Sequence, residues 1–387
     1  MATLGDRSLP VTWTAEVSSA APAPKLSDAT AAKITQSMAA SRSESTLKAY
    51  ASAWRRFDQW CEVGGHTALP AHPATVAAYL VEAAETLGDN GERAYAPATM
   101  SKWVASIAHI HRSGGYISPT DHEAVRSTLA GIRRTYAAAG ERPRKQMAPL
   151  LVVDIVTMVN VGREAVTGWA SEVLERRDSA LLLMGFAGAF RRSEMVRLRC
   201  GDVAVHRLDG LHIHLRKSKT DQVGHGAVRA LPFTVSHASC PPCAAVRWWE
   251  VVAAHERGGR AAVIRLLRTA PDFTDHVCRN SLPRVPQSTP FFRAIAKNGN
   301  LSTAALSGAA VHAAVRRRAG AAGYDEGLVA SLGGHSLRAG FVTQAFRNGA
   351  DAHAIMRQTG HKSTGMLEVY AREYAPLMGN AVSDIGL

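Results

Sequence analysis

Arginine, histidine, lysine and tyrosine cluster in four short segments of this 387-residue chain, at spacings that suit phosphate chemistry. The first, Gly188-Ala189-Phe190-Arg191-Arg192-Ser193-Glu194-Met195, closes an apolar stretch running from Leu181 to Phe190. Helical spacing would put Arg191 and Glu194 on one side, and a buried arginine needs such an acidic partner. The second is Arg216-Lys217-Ser218-Lys219-Thr220, at the end of a strand. The third, Gly333-Gly334-His335-Ser336-Leu337-Arg338-Ala339-Gly340, opens a helix. His335 and Arg338 then lie near its N-terminus, where oriented N–H groups favour an anion. The fourth is Gly360-His361-Lys362-Ser363, with Tyr370 nine residues after His361.

A phosphodiester repels nucleophiles by its charge. Two guanidiniums can grip its non-bridging oxygens and stabilise the charge added in the transition state, and arginine suits the task because its fork is rigid and always charged. Arg191 and Arg338 are the candidates for this clamp. A tyrosine of pKa about 10 must lose its proton as it attacks. Tyr370 is the candidate nucleophile, and His335 the proton acceptor, since histidine titrates near neutrality.

Arg-x-Ser-Glu or His-x-x-Arg alone occurs in many chains. Together and in this order the segments resemble the tyrosine recombinase (phage integrase) family, whose pattern is Arg-x-Ser/Ala-Glu, a hairpin lysine, His-x-x-Arg, Gly-His/Trp and a tyrosine nine residues on. The matching positions are Arg191, Lys219, His335, Arg338, His361 and Tyr370. The resemblance covers the whole second domain, from residue 150 on, and implies that Lys219 protonates the departing 5′-oxygen and His361 donates a hydrogen bond to the phosphate. Glu194 stands behind Arg191. Arg192, Lys217 and Tyr374 remain as alternatives to Arg191, Lys219 and Tyr370; Lys217 and Lys219 share a strand face, so periodicity does not separate them. The family implies a site-specific recombinase that cuts and rejoins double-stranded DNA through a 3′-phosphotyrosyl intermediate. It further implies a homotetramer in the synaptic complex and no ATP, metal or other cofactor. The sequence contains no GxxxxGK[ST] phosphate loop. Type IB topoisomerase-like DNA relaxation and a non-catalytic DNA-binding protein on the same fold are the rivals. The target site and any accessory protein are not legible.

The elements that must position these residues fall into two groups. Residues 1–25, rich in Ala, Pro, Ser and Thr, read as a disordered tail. Residues 26–140 read as a helical DNA-binding domain, which the resemblance makes a core-binding domain. Thr46, Tyr50, Trp54, Phe57 and Trp60 recur at helical steps, and further helices are expected at about 73–85, 97–112 and 120–139. A basic linker covers 141–149 and a catalytic domain 150–387. There, helices are expected at about 150–160 and 176–198. Leu211, Ile213 and Leu215 alternate with polar residues as a strand does, and Val228 to Phe233 is placed to pair back as a hairpin. Residues 234–330 read as mostly helical. The fold class is thus mainly α with a small antiparallel β-hairpin or sheet, which the family resemblance would close on DNA as a C-shaped clamp. Met378, Val382 and Ile385 suit a short helix docking on a neighbouring protomer.

A net charge of +13 and a pI near 9.9 favour a polyanionic partner, because each cation placed on a phosphate releases a condensed counterion. Lys48, Arg55 and Arg56 form a basic face of the first long helix, and Arg126, Arg133, Arg134, Arg142, Arg144 and Lys145 run into the linker. These nine are the candidate DNA contacts. His109 and His111 are read as a polar helix face or DNA contacts. No long uncharged apolar stretch suggests a membrane span, and five cysteines fit a reducing, cytoplasmic setting beside the nucleoid. His237, Cys240 and Cys243, with His276 or Cys278 downstream, have only the Cys-x-x-Cys spacing of a zinc site, interrupted by Pro241-Pro242. Ordinary packing is the expected role, and no metal site is assigned.

Overall fold

A computed structural model describes residues 27–141, 147–216, 226–365, 367 and 370. The chain divides into two compact units, residues 1–145 and 146–387.

The first unit is helical: α1 (Asp28–Ala40), α2 (Glu44–Val63), α3 (Pro73–Glu85), α4 (Pro97–Ser113) and α5 (Glu123–Ala138). Proline at N1 starts α3 and α4, where its missing N–H costs nothing. Ser43 caps α2 by accepting the Thr46 N–H. The apolar faces meet in a core of Phe57, Val76, Leu80, Met100, Ile107, Val125 and Ile132. Polar ties fix the register: Ser106 Oγ donates to the Tyr50 carbonyl (2.8 Å), and the Tyr136 hydroxyl lies within reach of the Ala84 and Tyr95 carbonyls. His111 departs from its expected place on a polar face. It is fully buried, and its Nε2 accepts the Ala71 N–H at 2.8 Å.

The second unit begins with α6 (Val152–Glu164), α7 (Trp169–Ala187) and the single turn α8 (Arg192–Met195). The helix expected over 176–198 is therefore broken. Gly188 caps α7, and Ala189 takes φ +47, a left-handed conformation that ends the helix. α7 is enclosed on all sides, including Glu175, Arg176, Arg177 and Asp178. Glu175 pairs with Arg163 and Arg247 (3.4 Å each), and Asp178 pairs with Arg177 of the same helix (2.8 Å) and Arg317 (2.5 Å), so each buried acid is met by a charge from a neighbouring helix.

Strands β1 (Val203–His206), β2 (Gly210–Leu215) and β3 (Ala227–Leu231) form an antiparallel sheet in that order, with Leu211 opposite Leu231 and Leu215 opposite Ala227. The β2–β3 pairing is the expected hairpin; β1 had no clear sequence signal. α9 (Pro241–Thr269) follows, kinked at Gly258-Gly259. The hairpin of β4 (Arg293–Ile295) and β5 (Leu301–Ala305) lies inside the stretch expected to be mostly helical. The described chain then runs through α10 (Gly308–Ala321), α11 (Glu326–Ser331), α12 (Gly334–Arg347) and α13 (Ala352–Thr359). Gly340 lets α12 lie against the backbone ahead of α6, since a Cβ there would overlap the Leu150 carbonyl. No helix among the described residues is long and apolar enough to cross a membrane.

Candidate active site

Arg191 does not lie within a helix, as its sequence spacing suggested, but caps α8. Glu194 holds it twice: one carboxylate oxygen accepts the Arg191 backbone N–H (2.9 Å) and the other accepts Nη1 (2.7 Å). Glu194 is buried while Arg191 keeps a partly open face, so the acid aims the guanidinium outward.

Arg338 is buried on the first turns of α12. Its Nη1 donates 2.6 Å to the carbonyl of Ala189, the residue whose left-handed backbone ends α7. That break in the helix therefore carries the carbonyl that orients the second arginine. Burial, with the positive charge of Arg191 beside it, lowers the Arg338 pKa to about 9.

His361 follows Gly360, whose φ of +65 closes α13. Its Nε2 accepts from Arg338 Nη2 at 3.0 Å, because a guanidinium has no lone pair to offer. Its Nδ1 then donates to Thr359 Oγ1 at 2.8 Å. Burial, with Arg338 next in importance, holds the ring neutral by lowering its pKa to about 3. Both nitrogens are thus engaged within the protein.

His335 stands at the start of α12, and its Nε2 lies 2.9 Å from the Tyr370 hydroxyl. Desolvation, then the charges of Arg338 and Arg191, lower the His335 pKa below the ordinary histidine value. Desolvation raises that of Tyr370, against the pull of the same two arginines. Tyr370 also packs on the small apolar cluster of Val342, Ile355 and Leu367. Five of the six expected groups therefore converge in one chain. Lys219, its rival Lys217 and Tyr374 lie outside the described residues.

A third guanidinium was missed. Arg229 on β3 is 2 % exposed, and its charge is felt by Arg338 and His361. Its Nη1 donates to the Arg357 carbonyl (2.7 Å) near the end of α13, and Gly360 packs against its Nη2, so it supports the turn that presents His361. An arginine at an inward position of an alternating strand was the available signal.

The candidate DNA contacts described in the first unit are exposed but differ in freedom. Lys48 pairs with Glu44 (2.6 Å) and Arg126 with Glu123 (3.3 Å). Arg56 donates to the Tyr95 hydroxyl (2.7 Å) and lies over the Tyr95 and Trp103 rings. Arg133 donates to Ser101 Oγ (2.8 Å). Arg55 and Arg134 are exposed. Arg142, Arg144 and Lys145 lie outside the described residues, as do Met378, Val382 and Ile385. The cysteines given to ordinary packing are buried as expected, but the structure also brings Cys240, Cys243, Cys278 and His276 together, their donor atoms within 4.8 Å of one another.

Residues 295–375 match the phage integrase family. An integrase/recombinase xerD homolog of Selenomonas ruminantium is 31% identical over 346 residues, 89% of this chain and 86% of the relative. The chain belongs to the phage integrase family of tyrosine recombinases. The recombinase cre of Escherichia phage P1 is 24% identical over 333 residues, 85% of this chain and 84% of its own. Among solved structures, the Tn1549 transposon integrase in complex with transposon right end DNA aligns at a TM-score of 0.51 and 13% identity, covering 88% of this chain and 92% of that one, a likeness of fold.

Proposed function

We propose that this chain is a site-specific recombinase of double-stranded DNA that works through a 3′-phosphotyrosyl intermediate. The observation that carries the reading is the Tyr370 hydroxyl 2.9 Å from His335 Nε2, in the field of Arg191 and Arg338. A neutral His335 protonated on Nδ1 has its Nε2 lone pair free for the phenol proton. As that proton leaves, the Tyr370 oxygen attacks phosphorus, the bond to the 5′-oxygen breaks, and the two guanidiniums hold the charge that builds on the non-bridging oxygens. Lys219 supplies the proton that leaves the 5′-hydroxyl free. The ester is exchanged and not hydrolysed, so a 5′-hydroxyl from a second strand reverses the step without ATP. His361 steadies Arg338 until phosphate takes up the guanidinium.

Two duplexes need four cleavages, so the active assembly is a tetramer on DNA. It works on the DNA of the nucleoid, in the cytoplasm. The test is a supercoiled plasmid carrying two copies of a target site selected from random duplexes by binding. Recombinant circles are expected. Relaxed circles without recombinant products would contradict the proposal and favour a topoisomerase.

A further inference from the structure

Outside the site for DNA chemistry, the second unit gathers four further donors. Cys240 is the N-cap of α9, and Pro241 and Pro242 occupy its first two positions, which places Cys243 on the first turn. The proline pair, an obstacle in the sequence, is what starts the helix and turns both cysteines to one side. His276 and Cys278 come from the segment after α9. The three sulfurs and one imidazole nitrogen lie within 4.8 Å of one another. His276 Nδ1 is 3.3 Å from Cys243 Sγ and 3.7 Å from Cys278 Sγ.

We propose that Cys240, Cys243, His276 and Cys278 bind one zinc ion as a structural site. Tetrahedral zinc with bonds of about 2.3 Å to sulfur needs its ligand atoms only about 3.8 Å apart, a small contraction of the arrangement present. Three thiolates and one imidazole are a closed set with no open position, the pattern of structural and not catalytic zinc. The histidine is already set for ligation. Its Nε2 lies 3.1 Å from the Val235 carbonyl, and donation there leaves the Nδ1 lone pair facing the sulfurs. Phe233, Phe273 and Val277 pack round the cysteines and keep water out.

The charge also fits. Zinc with three thiolates and a neutral imidazole carries one net negative charge. Arg163 lies close enough to interact electrostatically with Cys243, and its Nη2 is buried with no hydrogen-bond partner among the described residues. Its Nη1 donates to the Ala238 carbonyl (2.6 Å), just ahead of Cys240. A redox-active Cys-x-x-Cys pair would have no use for two more converging donors, and Cys240 and Cys243 are both fully buried, closed to a thiol partner.

The site would add a tie at the near end of a segment held elsewhere by side chains and backbone, as where Trp249 Nε1 donates to the Pro283 carbonyl (2.8 Å). Residues 270–292 form no helix or strand of their own. Their far end is tied down, with the Cys200 N–H donating to the Thr289 carbonyl (2.9 Å) and the Phe291 N–H to the Leu198 carbonyl (2.8 Å). Zinc would tie the near end to the start of α9.

The full chain is purified untagged in reducing buffer without chelator, dialysed, and assayed for zinc by mass spectrometry. One zinc per chain is expected, falling to background in Cys278→Ser and His276→Ala but kept in Cys61→Ser, whose thiol lies in the other unit. In wild type, where misfolding of a variant is no concern, cobalt in place of zinc should give tetrahedral ligand-field bands and thiolate-to-cobalt charge transfer. Wild-type zinc far below one per chain, cobalt bound without charge transfer, a Cys240–Cys243 disulfide under these conditions, or full zinc retained by both ligand variants would each overturn the proposal.

Discussion

In the proposed mechanism His335 accepts a proton from a phenol while it sits beside two guanidiniums that disfavour its own charge. The second condition serves the first. By keeping the ring neutral to a lower pH, burial first and then Arg338 and Arg191 leave its lone pair available over more of the pH range. In the proposed mechanism only the neutral ring works, so activity is complete above the folded pKa of His335 and lost as pH falls through it. That pKa is lowered, so the midpoint of the acid limb should fall below the ordinary value of about 6.5. Single-turnover cleavage against pH measures it. In His335→Gln this limb should disappear and the plateau rate fall by about 10² to 10⁴; an unchanged limb in the variant would remove His335 as the acceptor. The residue scale was also the most legible. Arg191, His335, Arg338, His361 and Tyr370 stand in short segments whose residue types announce phosphate chemistry. Arg229 and Thr359 did not stand out, because their parts are played through neighbours distant in sequence or through a turn that sequence does not reveal.

The elements around the site work by close approach of backbones. α12 carries both His335 and Arg338, and its depth in the second unit depends on Gly340 passing the Leu150 carbonyl. Gly340→Ala has no flexible side chain to push aside, so it should cost about 1–3 kcal/mol of stability, read in urea unfolding. It should also slow cleavage by shifting the helix that bears the two groups. Wild-type stability and rate would show that the helix has room to spare. Helices with one apolar face, such as α2 and α5, were legible from period alone. α7 was not. Its charged residues are buried and paired, some within the helix and some with neighbouring helices, so its true start at Trp169 did not show as an apolar stripe. Its end was misplaced because a left-handed alanine, unlike a glycine, gives no warning in the sequence. β1, β4 and β5 are each five residues or fewer, too short for an alternation to stand out.

At the scale of the whole molecule, the charge of +13 points to a polyanion without saying which cations touch it. The structure sorts those in the first unit. Arg56 is spent on Tyr95 and Trp103, whereas Arg55 and Arg134 are exposed. Replacing Arg55 and Arg134 with alanine should reduce the slope of log K against log salt by roughly 0.9 for each phosphate no longer neutralised, read by fluorescence anisotropy on a duplex. An unchanged slope would mean that other cations meet the phosphates. The proposed chemistry is narrower than charge: one phenol, held against one imidazole in the field of two arginines, would become bonded to DNA. A nicked suicide duplex bearing the target site tests this most directly, because the cleaved strand diffuses away and the intermediate is trapped. Wild-type protein should give a covalent protein–DNA band in denaturing gels and Tyr370→Phe none. An adduct that persists in Tyr370→Phe and vanishes in Tyr374→Phe would contradict the account.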